Sequence, residues 1–338
     1  MRGTTAAVLV LLACSKQAGP PAPAPPDLRL ATDLPAPVVD TALRLIVQHG
    51  GPRAERVVVS PAGVEALSTP QPGGGETDVR WDSEPYGAIA AARRGELLPM
   101  PVTGRDVPPL WRDPGGTWVA VGGRAVVILA ANDQLGDHAV PTNYAALTQP
   151  WLKGKVAIAA PTRGASLAHF AALFQAWGEA RMRAWMSQLE SNAVQVLESD
   201  DAVRQAVVGG QATIGVLASD EAAKAAASAA RVSLEYPNQR SIGTFVWPTA
   251  LSRPKSGRHA ALAEDLAERL ASREIEQLVV ARMPGYLPLR GGIPVPPGVT
   301  SAANLVVVSV DPARIVAEIA TRKDELAAWA REGRRERR

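Results

Sequence analysis

A chain of 338 residues, 46% hydrophobic and 20% charged, is too long for one small core and suits about two domains of ordinary size. Its one cysteine excludes an internal disulfide framework and a multi-cysteine zinc site. The net charge of +3 is local: Arg331 to Arg338 hold five Arg and two Glu, so the near-neutral body offers no phosphate-binding surface and nucleic acid is not an expected partner.

Met1 and Arg2 precede an apolar run, Ala6 to Ala13, too short to cross a bilayer, which needs about 20 apolar residues. A basic start followed by a short apolar stretch is the layout of an export signal. The stretch ends in Leu11-Leu12-Ala13-Cys14, which resembles the lipobox of bacterial lipoproteins. The resemblance implies cleavage after residue 13 and a lipid on the Cys14 thiol. Residues 14–27 then form a Pro/Ala-rich linker, with five prolines among the twelve residues Ser15 to Pro26. This is a semi-extended spacer between a membrane and a folded body.

The body alternates strands and helices. Leu28 to Ala31 reads as a first strand. From about Pro37, Val39, Ala42, Leu43 and Ile46 share one face of a helix. Val57 to Val59 is a second strand and Val79 to Trp81 a third, followed by a helix from Pro85 to Arg94 with proline at its first turn. Val119 to Leu129 is a β-rich run broken by Gly122-Gly123. A strand, Val156 to Ala159, leads to helices over about Ala165 to Trp177 and Glu179 to Leu189. Short strands follow at Val194, Ala212 and Val232, with a helix from about Asp201 to Val208 stopped by Gly209-Gly210. Ile242 to Trp247 is β-rich again. Helices over Gly257 to Ala271 and Arg273 to Arg282, a Pro/Gly-rich loop from Pro284 to Gly298, and a helix from Pro312 to about Ala330 close the chain.

This order predicts an α/β fold of two lobes. The β-rich runs at 119–124 and 242–247 are spaced for the chain to cross to a second lobe and return. Residues 28–118 and 246–338 would build lobe I and residues 119–245 lobe II.

Four segments in order resemble the ferric-ion-binding group of periplasmic solute-binding proteins. They are Asp78-Val79-Arg80-Trp81-Asp82-Ser83-Glu84 with Arg94-Gly95-Glu96, Tyr144 through Trp151-Leu152-Lys153-Gly154-Lys155-Val156, Ala202 through Gly209-Gly210-Gln211 to Val216, and Tyr236-Pro237-Asn238-Gln239 before Gly243-Thr244. The resemblance implies the type II periplasmic-binding-protein fold, each lobe a mixed or parallel sheet flanked by helices, with a ligand cleft between the lobes. It also implies a monomer that serves an ABC permease and its ATPase, without catalysis of its own.

Strand ends and helix starts supply the candidate ligand-binding residues. Glu84, after the third strand, suits a hard oxygen ligand to a metal, a partner for a ligand donor, or an acid at a helix start. Asp33 follows the first strand and Ser60 the second, each with a turn or cap as its alternative. Arg163 and Ser166 stand between a strand and a helix, where they could hold an anion or cap the helix. Asp220 and Glu221 end another strand and either face Glu84 or start a helix. Members of the resembled group hold Fe(III) with adjacent tyrosines. Here Tyr86, Tyr144, Tyr236 and Tyr286 are all isolated, and Ser219-Asp220-Glu221 stands where the pair would fall. No cofactor is expected beyond a bound metal ion such as Fe(III); a metal ion, a metal chelate and a small organic or inorganic anion all stay open as ligands. Two other functions remain: an exported hydrolase-like enzyme using Glu84 or Asp220, and a lipoprotein that senses a ligand without transporting it.

Overall fold

The computed structural model describes residues 28–60, 77–100, 106–228, 231–296, 299–309 and 311–335. The signal segment, Cys14 and the linker lie outside these residues, as does Pro61 beside Ser60. None of the helices among the described residues is long and apolar enough to cross a membrane.

Among the described residues, two six-stranded sheets organise the fold. In the first, β1 (Leu28–Thr32) pairs in parallel with β2 (Ala54–Val58) and with β3 (Val79–Asp82), in registers that place Thr32 beside both Val58 and Trp81. The crossover from β1 to β2 is α1 (Ala36–Gln48). Its buried face is Val39, Ala42, Leu43 and Ile46, the stripe expected from the helical spacing, joined by Val38. After β3 come α2 (Tyr86–Arg93), β4 (Leu97–Leu98) and β5 (Trp118–Val119). The sheet is completed from far along the chain by β12 (Ala250–Pro254), which runs antiparallel to β3, β4 and β5. Helices α7 (Ala260–Leu270) and α8 (Arg273–Arg282) pack against α1.

The second sheet is built on β6 (Gly123–Ala131). Seven consecutive residues from Ala125 are buried, which is why this strand reads as an unbroken apolar run instead of an alternating one. It pairs antiparallel with β9 (Ile214–Ala218), β10 (Val232–Glu235) and β11 (Val246–Pro248), while β7 (Val156–Ala159) and β8 (Gln195–Leu197) extend the sheet in parallel from β9. Helices α3 (Gly164–Trp177), α4 (Glu179–Ser191), α5 (Asp200–Val208) and α6 (Ser219–Ala227) surround it. Aromatic residues collect on this side. Tyr144, Phe170 and Trp185 pack with the buried His169 and with Trp177, Phe245 and Trp329. Burial pushes the pKa of His169 down to about 3, so this is a neutral packing residue.

The chain leaves the first sheet after Val119 and enters the second at Gly123. Gly122 turns the corner with φ +78°, a conformation that glycine adopts without steric cost. It returns between Pro248 and Ala250, and here Thr249 joins the two crossings. Its buried hydroxyl accepts from the Val121 N–H at 3.0 Å and donates to the Val121 carbonyl at 2.9 Å. A third passage makes a bridge between Leu287 and Gly123.

Two expectations about the lobes change. Residues 246–248 are expected in lobe I, but β11 pairs with β6, because Val246 and Trp247 continue the apolar ladder of the second sheet. The final helix α9 (Pro312–Arg335), also expected in lobe I, lies along α3 and β8. Its Arg322 guanidinium sits 4.1 Å from the Phe174 ring centre and pairs with Glu318 and with Glu179 of α4. Trp329 packs on Phe170.

Candidate functional site

The two lobes meet around Arg124, the second residue of β6 and the only charged residue between Trp118 and Ala131. Backbone pairing with Trp247 fixes where its side chain starts. The guanidinium lies over the Trp247 ring at 5.0 Å and the Tyr286 ring at 5.4 Å, both measured to the ring centre. Its Nη1 donates to Asp220 Oδ2 at 3.0 Å. Its Nη2 stands 4.0 Å from Glu84 Oε1 and 3.5 Å from the Ser83 carbonyl oxygen. Ser83 and Glu84 follow β3 in the first lobe, whereas Asp220 opens α6 in the second. Arg124 therefore ties the lobes together.

This cluster is largely out of water: the side chains of Glu84, Arg124 and Asp220 are 12%, 15% and 22% exposed. Burial works against the guanidinium charge, but Tyr286, Asp220 and Glu84 outweigh it, and the pKa of Arg124 is raised. The Tyr286 phenol is pushed up to about 12, first by burial, and Tyr86 is raised well above its ordinary value for the same reason.

Of the residues expected from sequence, Glu84 and Asp220 are in the cluster. Glu84 also reaches the second lobe directly: its Oε1 lies 3.4 Å from where a Cβ on Gly164, at the start of α3, would be. Asp33 supports the cluster from behind, accepting from the Ser83 N–H at 2.7 Å and the Ser83 hydroxyl at 2.6 Å. The other four do not join it. Ser60 is exposed beyond β2. Arg163 is exposed ahead of α3, and Ser166 donates its hydroxyl to the Ala159 carbonyl at 2.8 Å, tying the helix start to the end of β7. Glu221 is drawn to Arg204 at 3.0 Å and to Lys224.

Two charged residues at or beside the cluster lie outside those expectations. Arg124 carried a signal, a lone charge inside an apolar strand. Asp200 did not, since an acid at a helix start is ordinary. Asp200 accepts from the Ala218 N–H at 3.2 Å, and burial, followed by the field of Asp220, pushes its carboxyl up to about 6. With Ser166 and His169 it lines a cavity of about 10 Å³, room for roughly one water.

Ser219 is committed to structure. It is fully buried, accepts from the Ala125 N–H at 3.0 Å and donates to the Gly285 carbonyl at 2.6 Å. Among the described residues, no three His, Cys, Asp or Glu side chains are grouped to hold a metal ion. What the cleft does offer is one fixed cation between two carboxylates drawn from opposite lobes, with aromatic faces beneath.

Comparison with known proteins follows the same lines. The sequence model of a bacterial extracellular solute-binding protein family matches residues 104–308. Iron uptake protein A1 of Synechocystis is 28% identical over 205 residues, which is 58% of this chain; the match spans 56% of that relative's own length. Among solved structures, iron-bound HitA from Pseudomonas aeruginosa superposes with a TM-score of 0.75 at 19% identity, covering 89% of this chain and 99% of HitA. Ferric iron-binding protein A from Mannheimia haemolytica, in an open conformation, gives 0.72 at 17% identity over 91% and 98% of the two chains. AfuA from Actinobacillus pleuropneumoniae, with fructose-6-phosphate bound, gives 0.71 at 17% identity over 89% and 98%. The fold they share with this chain is the two-lobed type II periplasmic-binding-protein fold.

Proposed function

Because the chain belongs to the family of bacterial extracellular solute-binding proteins, we propose that it captures a small solute in the interlobe cleft and delivers it to an ABC permease driven by its ATPase. In this reading it works as a monomer and catalyses nothing. The observation that carries it is the Glu84–Arg124–Asp220 cluster, assembled from both lobes beside the strands where the chain crosses. A solute held there contacts both lobes at once and so favours the closed state by its differential affinity for it. The lobes are taken to divide at residues 120–122 and at Thr249, with α9 riding on the second.

The relatives include an iron uptake protein, an iron-bound protein and one holding a sugar phosphate. The solute classes to compare are therefore a metal ion, a metal chelate and a small anion. The hydrolase alternative needs a carboxylate free to act on water. Here Asp220 is hydrogen-bonded through one oxygen to Arg124, and Glu84 faces the same cation.

The test is a thermal-shift panel of metal salts, chelates and organic anions on the purified chain, with small-angle scattering of any hit. A solute that binds only the folded state adds about 2.7 kcal/mol of apparent stability at one hundred times its Kd. A hit that also shrinks the radius of gyration supports capture by closure. Turnover of a panel member, or silence across the whole panel, counts against the reading.

We also propose that Cys14 carries a lipid that anchors the body outside the cytoplasm. Stable anchoring takes more than one acyl chain, each buried methylene contributing about 0.8 kcal/mol. Cys14→Ala should move the protein from the membrane to the soluble fraction. A variant that remained membrane-bound would sink the anchor.

A further inference from the structure

We propose that the cleft takes a dipolar organic solute, an amino-acid-like zwitterion with an oxyanion at one end and an ammonium at the other, and not a bare metal cation. The inference rests on the solute-binding reading above and specifies the chemistry of that same site.

The place a cation would take is already filled. Arg124 stands between Asp220 at 3.0 Å and Glu84 at 4.0 Å. Pairing with β11 fixes its backbone, and two ring faces and the Asp220 hydrogen bond hold its guanidinium there. A metal ion seeking the two carboxylates would meet a fixed like charge within contact range. An adjacent pair of tyrosines is also missing from the sequence, and both carboxylates that could replace it already face Arg124. Ser219, beside Asp220, spends its hydroxyl on Ala125 and Gly285.

What the pair leaves open is one group of each polarity. Arg124 Nε, a donor, and Asp220 Oδ1, an acceptor, are both buried without a hydrogen-bond partner. Buried groups of this kind are costly and in native proteins usually mark a missing partner. A single small molecule answers both when an oxyanion on it accepts from Arg124 and an N–H group donates to Asp220. The sign of the donor end follows from the surrounding charge. Glu84 and Asp220 outnumber Arg124, and Asp200 adds a third carboxyl group behind Asp220. An ammonium suits that excess better than a neutral hydroxyl.

The test uses isothermal titration of the purified full chain with the standard L-amino acids, singly and pooled. Acetate and methylammonium serve as the separated halves, and Fe(III) is supplied from nitrilotriacetate. At least one amino acid should bind, while neither half binds alone and Fe(III) is not taken up. Arg124→Gln and Asp220→Asn should each weaken that amino acid roughly 10- to 100-fold, the scale of one charged hydrogen bond. Arg124→Lys should recover part of the loss, and urea melts of all three variants separate lost binding from lost folding. The proposal is overturned if no amino acid binds, or if the wild type takes up Fe(III) and Arg124→Gln takes it up more tightly. If a metal, chelate or simple anion binds where the amino acids fail, the solute class is wrong while the solute-binding reading stands. If nothing binds in either panel, both fall.

Discussion

Replacing Gly285 by alanine should destabilise the fold and remove solute binding in one step. Gly285 has φ +84°, and a Cβ there would lie 2.5 Å from both the N and the Cα of Asp220 and would also strike the Ser219 carbonyl oxygen. All three are backbone atoms, so no side chain can swing away to relieve the clash. The left-handed conformation alone costs about 1 kcal/mol for alanine. Displacing the start of α6 costs more, since it breaks the Ser219 bonds to Gly285 and Ala125. We expect about 3 kcal/mol in total, read from urea denaturation. Gly95 is the matched control: it also has positive φ, but nothing lies within 4 Å of its Cβ position. Gly95→Ala should cost only the conformational part. Equal losses for the two variants would refute the close-approach argument. Loss of binding follows because Asp220 is the partner of Arg124.

The second large effect is expected at Glu276. Glu276 and Arg290 are both 1% exposed in their side chains, and Arg290 Nη1 stands 3.1 Å from Glu276 Oε2, an ion pair without the alignment of a hydrogen bond. The other oxygen of Glu276 accepts from the Leu289 N–H at 2.6 Å and the Arg290 N–H at 3.3 Å. Arg290 also donates to the Ala271 carbonyl at 2.5 Å and pairs with Asp106 at 3.0 Å. Removing one partner of a buried pair strands the other, at a cost of about 3–5 kcal/mol. Glu276→Ala should show that loss in chemical denaturation. The double variant Glu276→Leu with Arg290→Met should recover part of it, because no buried charge is left behind, although the Leu289 and residue-290 N–H groups lose their acceptor. A single variant as stable as the wild type would mean that Asp106 alone satisfies Arg290. The pair also fixes the segment that carries Tyr286 to Arg124 and Leu287 to Gly123, so solute affinity should fall with stability.

The elements of this fold were legible in the chain wherever periodicity ran long enough. α1 shows its buried stripe in the spacing from Val39 to Ile46, and Gly209-Gly210 ends α5 where glycine was expected to end it. β12 escaped notice, because Ala250 to Pro254 holds a serine, an arginine and a proline and looks like a loop. It is a strand because β3, β4 and β5 surround it, a non-local cause that no local pattern carries. The docking of α9 on α3 was hidden for the same reason. At the site, Glu84 and Asp220 were readable as acids at strand ends. Their shared partner was not, since only the pairing of β6 with β11 and the approach of Tyr286 bring Arg124 between them. Ser166 and Glu221 show the converse: a polar residue at a helix start can have a local use, here to the Ala159 carbonyl and to Arg204.

Thr249 has a mechanical consequence. Its one hydroxyl holds both faces of Val121, so the outgoing and returning strands are riveted at a single point, 128 positions apart in sequence. Sliding one lobe past the other would have to break both of these bonds and the backbone bond from Thr249 to Gly122. A tie at one point resists shear more than rotation, and it stands three residues from Arg124 on the outgoing strand.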